Sequence, residues 1–108
     1  MVPTVLVVEP YADLRAGIVS TLKRLSLDCD AVATPDDARL KLRDHDYAWV
    51  VVDVDSPDPT TELVSSIDKR SRVILITDAD PRERRAHPRH PMLRKPFGRD
   101  ELLAQFPK

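Results

Sequence analysis

Four polar side chains follow closely on apolar runs. Glu9 follows residues 5–8, Asp53 follows 50–52, Thr77 follows 73–76, and Lys95 comes two residues after Met92-Leu93. Gathered in one crevice, two carboxylates, a hydroxyl and an ammonium suit phosphoryl chemistry. A carboxylate can attack phosphorus and hold an acyl phosphate, the ammonium and hydroxyl can bind its equatorial oxygens, and the second acid can help hold Mg²⁺. Each residue also has an ordinary reading. Asp53 could cap a turn, Glu9 could be an exposed strand-end acid, Thr77 a helix N-cap, and Lys95 a surface residue in a tight turn. Two physical points favour the site reading. An acid ending an all-apolar strand is costly unless solvated or paired, and a lysine facing acids relieves their repulsion.

The elements that must position these groups are legible from periodicity. Residues 4–8 form a β-branched apolar run closed by Glu9-Pro10, a buried strand that proline ends. Residues 13–25 place Leu14, Ile18, Leu22 and Leu25 on one helical stripe. A second strand is expected over 29–33. Thr34-Pro35-Asp36-Asp37 then offers an N-cap, a first-turn proline and an acid at the third position, opening a helix to about residue 44. Residues 47–52 lack polar alternation, the pattern of a strand covered on both faces, and run into Asp53. A short helix over 60–69, a strand over 73–76, a weak helix over 82–86, a brief strand at 92–93 and a closing helix over 100–106 complete the alternation. Right-handed crossovers then give a five-stranded parallel sheet with helices on both faces, whose chemistry collects at the carboxyl ends of the strands.

Composition narrows the classes. The 108 residues make one domain, 1–108, with 17 basic and 18 acidic side chains balanced to a net charge of -1. Cys29 is the single cysteine, which excludes an internal disulfide and a thiolate zinc cluster and fits a reducing cytoplasm. The apolar runs fall far short of the roughly 20 residues of a membrane helix, and the amino terminus lacks the basic region of a signal peptide. A cytoplasmic location is therefore expected. Two glycines, Gly17 and Gly98, are too few for a P-loop or a dinucleotide fingerprint.

Taken in order, VLVVEP, VVVDVDSP, VILIT and RKPF resemble the receiver domain of bacterial two-component response regulators, over nearly the whole chain. The resemblance implies a doubly wound, flavodoxin-like α/β fold of strand order 2-1-3-4-5. It makes Asp53 the phospho-acceptor with Pro57 four residues on, Thr77 the switch hydroxyl, and Lys95-Pro96 the motif lysine and its cis-proline. It assigns Mg²⁺ to Glu9, Asp53 and the backbone carbonyl of Asp55. It also implies a phosphorelay signalling module, phosphorylated by a histidine kinase or phosphotransfer protein, with no enzymatic activity beyond phospho-acceptance on its own Asp53.

Three departures mark an atypical receiver. Pro10 replaces the usual second acid; Asp13, Asp55 and Asp78 are the candidates to substitute for it. Met92 stands where a switch aromatic is usual. The segments between Asp53 and Thr77 and between Thr77 and Lys95 are short, which trims the third and fourth helices. A phosphorylation-independent pseudo-receiver, acting only through protein contact, is the alternative function. A distant third is a haloacid-dehalogenase-like phosphatase, because Val52-Asp53-Val54-Asp55 resembles its nucleophile motif. That enzyme needs a longer chain and a further acidic pair, where only Asp100-Glu101 follows.

Residues 82–95 carry Arg82, Arg84, Arg85, Arg89, Arg94 and Lys95 against Glu83 alone. Without aromatic residues for base stacking, this basic stretch points to a solvated face or an acidic protein partner rather than DNA. By the resemblance it belongs to the output face, with Arg82, Arg84, Arg85, Arg89, Met92 and Arg94. His87-Pro88-Arg89-His90 lacks the further ligands of a metal site. Homodimerisation is left open.

Overall fold

The computed structural model describes residues 4–55, 60–67, 70–79 and 90–106. Pro57, Arg82, Arg84, Arg85, Arg89 and the helix expected over 82–86 lie outside the described residues. The elements run β1 (Thr4–Val8), α1 (Ala12–Lys23), β2 (Asp28–Val32), α2 (Pro35–Asp44), β3 (Trp49–Asp53), α3 (Thr61–Ser66), β4 (Arg72–Thr77), β5 (Met92–Arg94) and α4 (Arg99–Leu103). The five strands form one parallel sheet in the order β2-β1-β3-β4-β5.

The apolar runs of β1, β3 and β4 occupy the middle of the sheet because they feed both faces. Val5, Val7, Val51, Ile74 and Ile76 point to a cluster closed by Ile18 and Leu22 of α1 and Leu102 of α4. Leu6, Val8, Val50, Val52 and Leu75 alternate to the other side, under Ala38 of α2 and Leu63 of α3. This is the two-residue period of a strand acting on sequences with no polar alternation. Each fully buried Val, Leu or Ile contributes roughly 1.5–3 kcal/mol. The core thereby offsets the cost of carrying acids at the strand ends.

Several boundaries differ from expectation, for local reasons. The α1 ladder stops at Lys23 rather than residue 25. Arg24, Leu25 and Ser26 donate to carbonyls three residues back, and Ser26 turns the chain in the left-handed region at φ 60°. Tyr47 precedes β3 instead of opening it: its carbonyl accepts from the Ser71 hydroxyl at 2.6 Å, and its own hydroxyl donates to Asp30 at 2.5 Å. The α2 start is as read. Thr34 accepts the Asp37 N–H through its side chain at 3.1 Å, with Pro35 in the first turn. The third helix is short, six residues.

Candidate functional site

The ladder sets the site. Val8 lies level with both Val32 and Val52, Asp53 with Ile76, and Thr77 with Arg94. One more step of hydrogen bonding follows at each strand end. Glu9 N–H donates to Val32 (3.0 Å), Val54 N–H to Ile76 (3.0 Å), and Lys95 N–H to the Thr77 carbonyl (2.7 Å). Glu9, Asp53, Thr77 and Lys95 are thereby delivered to one edge of the sheet, as their positions after apolar runs anticipate.

Glu9, Asp53 and Thr77 have no exposed surface, and the Lys95 side chain retains 9%. The Lys95 ammonium lies between the two carboxylates, 2.9 Å from Asp53 Oδ2 and 3.3 Å from Glu9 Oε2. Asp53 Oδ1 accepts the Asp55 N–H at 2.8 Å. Glu9 Oε1 accepts the Tyr11 N–H at 3.2 Å, whereas Oε2 is buried and makes no hydrogen bond of good geometry, lying 3.3 Å from the Lys95 ammonium. The Lys95–Pro96 peptide is cis.

This arrangement sets ionisation. Desolvation pushes the Glu9 carboxyl from 4.5 up to about 7. The Tyr11 N–H and the Lys95 charge pull it down, while the neighbouring charge of Asp53 adds to the rise. Burial works against the Lys95 ammonium, but its hydrogen bond to Asp53 and the charges of Asp53 and Glu9 outweigh that and hold its pKa above the ordinary lysine value. Lys95 therefore stays cationic, a fixed positive charge between two buried acids.

The Thr77 hydroxyl donates to Asp55 Oδ2 at 2.7 Å and accepts the Ala79 N–H at 3.1 Å. Of the acids considered as substitutes for the missing carboxylate, Asp55 is engaged by its side chain with Thr77 and the Asp78 N–H. Asp13 and Asp78 are exposed. Among the described residues no group of three or more histidine, cysteine or acidic side chains is arranged to hold a metal ion. Hard carboxylate oxygens do suit Mg²⁺, and Glu9 Oε2 is a buried carboxylate oxygen whose neighbour is the Lys95 ammonium at 3.3 Å. The donor set fits the ion in kind.

Two residues at the site are not signalled by motif. Tyr11, 58% exposed, lies with its ring centroid 5.3 Å from Lys95 Nζ, a cation–π contact at the mouth of the crevice. Arg15 reaches back from α1 to the Glu9 carbonyl at 2.8 Å and bolts the loop after β1 to the helix. Their closeness to Glu9, two and six residues on, is the one signal that marks them. An open hollow of about 330 Å³ lined by Leu14, Asp78, Lys95, Pro96 and Phe97 adjoins the site. Of the expected output face, Met92 is half-buried against the α2/α3 side of the core and Arg94 is exposed on β5.

No protein-family model matches the sequence, and no curated protein matches it. The fold is matched by solved structures. A chemotaxis response regulator, CheY4 of Vibrio cholerae, superposes with a TM-score of 0.84 at 20% identity, over 97% of this chain and 96% of that one. A response regulator receiver protein from Burkholderia phymatum gives 0.82 at 26% identity, over 95% and 90%. The Thermotoga maritima response regulator TrrA, solved in complex with Mg²⁺ and beryllofluoride, gives 0.82 at 22% identity, over 95% of each chain. The chain has the five-stranded parallel fold of response-regulator receiver domains.

Proposed function

We propose that this chain, folded as a receiver domain, is a signalling module of a two-component phosphorelay that accepts a phosphoryl group on Asp53. The observation that carries the reading is the buried Asp53–Lys95–Glu9 arrangement at the carboxyl edge of the sheet. Keeping two acids and an ammonium there is costly for a module without use for them. An Asp53 oxygen forms the bond to phosphorus as the bond to the donor's leaving group breaks. That leaving group is the imidazole of a phosphohistidine on a kinase or phosphotransfer protein, or acetate from acetyl phosphate. Lys95 neutralises charge on the transferred group, and Thr77 is the hydroxyl nearest in role. Glu9, Asp53 and the backbone carbonyl of Asp55 would hold Mg²⁺, which supplies further neutralisation of the phosphoryl oxygens. The chain turns over no other substrate. Its output is a protein contact through the 82–95 region, in the cytoplasm.

Pro10, which contributes no carboxylate beside Glu9, favours a second reading: a pseudo-receiver that works by protein contact alone. Intact mass after incubation with Mg²⁺ and acetyl phosphate separates the two. One added phosphoryl group, absent from Asp53→Asn, is expected. An unchanged mass, with no Mg²⁺ uptake by titration, would leave the pseudo-receiver standing.

A further inference from the structure

Thr77 is completely buried, and a hydroxyl has one proton to donate. That proton goes to Asp55 Oδ2 at 2.7 Å, while the hydroxyl oxygen accepts the Ala79 N–H. The same Asp55 oxygen also receives the Asp78 N–H. One carboxylate oxygen thus ties the loop after β3 to the first residue after β4. Its backbone N–H meanwhile donates to Asp53 Oδ1 at 2.8 Å, so Asp55 touches the acceptor and the switch hydroxyl at once.

The geometry points to Asp55 as a positioning residue, a latch that commits the Thr77 proton and so sets how readily Asp53 takes and keeps a phosphoryl group. The inference rests on the function proposed above. The peripheral oxygens of a phosphoryl group are acceptors, so Thr77 reaches one only by giving up Asp55. The bond to be given up is charge-assisted, stronger than one between neutral groups. The same carboxylate would stand as a like charge near the incoming anion. Both effects act against phosphoryl occupancy. When the latch opens, the Asp78 N–H loses its acceptor as well, which carries the change into the loop after β4.

The test is the affinity for beryllofluoride, a phosphoryl analogue, titrated with Mg²⁺ into the wild type, Asp55→Ala, Asp55→Asn and each of these combined with Thr77→Val. These substitutions leave the backbone carbonyl of Asp55 and the side chains of Glu9, Asp53 and Lys95 in place. Asp55→Ala is expected to bind roughly tenfold more tightly than wild type, the scale of one charge-assisted hydrogen bond. Asp55→Asn, which keeps an acceptor but no charge, should fall between them. Thr77→Val should cancel the gain, a coupling that a merely structural role of Asp55 would not produce. Exchange of the Asp78 amide hydrogen should also speed up in Asp55→Ala. If the wild type binds and both Asp55 variants bind no better, the latch is overturned and the phospho-acceptor reading stands. If no protein in the series binds, that reading falls and takes the latch with it. Should Asp55→Ala fail to fold, Asp55→Asn decides, with the same sign.

Discussion

Glu9 shows how a single buried carboxyl couples the site to stability. Its pKa lies at about 7 in the fold against an ordinary 4.5, through desolvation first and the charge of Asp53 in addition. Over that interval the folded state holds a proton that the unfolded chain has released. Stability therefore falls as pH rises from about 4.5 to 7, the reverse of a salt-bridged acid with a depressed pKa. Glu9→Gln, which cannot ionise, should match the wild type near pH 4.5 and exceed it at pH 8 by roughly 1–3 kcal/mol. Urea unfolding at the two pH values with chelator present checks this. Equal pH slopes for the two proteins would remove desolvated Glu9 as the cause. Lys95, by contrast, keeps its charge across this range and supplies the constant positive field against which Glu9 titrates.

At the scale of elements, α1 faces the site and carries two local weaknesses. Tyr11 stands at its N-cap with no side-chain cap bond, whereas Thr34 caps α2. Gly17 sits inside α1, exposed, and a Cβ there would meet nothing within 4 Å. A helical glycine costs conformational entropy that alanine does not. Gly17→Ala is expected to stabilise the chain by about 0.5–1 kcal/mol, read from the urea midpoint at constant slope. A loss of stability would mean that α1 packs more tightly at Gly17 than its open surroundings allow. The strengths of α1 lie elsewhere, in Ile18 and Leu22 on the core and in Arg15, which anchors the Glu9 carbonyl.

At the scale of the whole molecule, one sheet serves two cores. Leu6 is sealed on the α2/α3 face and Leu22 on the α1/α4 face, each with no exposed surface. Because β1 and β3 contribute alternate residues to both clusters, neither core can dissolve alone without stripping the strands that support the other. Leu6→Ala and Leu22→Ala should each cost about 2–5 kcal/mol. Trp49 fluorescence and far-ultraviolet circular dichroism should report one shared transition midpoint in both variants. Separate midpoints would show that the two faces unfold independently. The site's two acids stand at the carboxyl ends of β1 and β3, strands that both cores support.

The apolar runs before Glu9, Asp53 and Thr77 determined the strands, their central place in the sheet and the edge that receives the polar groups. A parallel strand buried on both faces admits no polar alternation, and the chain leaves every such strand at the same edge. The N-cap at Thr34 was legible for the same kind of reason, because capping is a contact over three residues. Only the tertiary structure decided which groups pair within the crevice. Lys95 meets Asp53 across 42 positions and Thr77 meets Asp55 across 22, and no local periodicity encodes such contacts. Sequence spacing led Thr77 to the same edge as Asp53, but a hydrogen bond is settled over tenths of an ångström. The fold spends the one Thr77 proton on Asp55, and the burial of Glu9 lifts its proton affinity. Both outcomes depend on the packing around those atoms, which exists only once the sheet has closed.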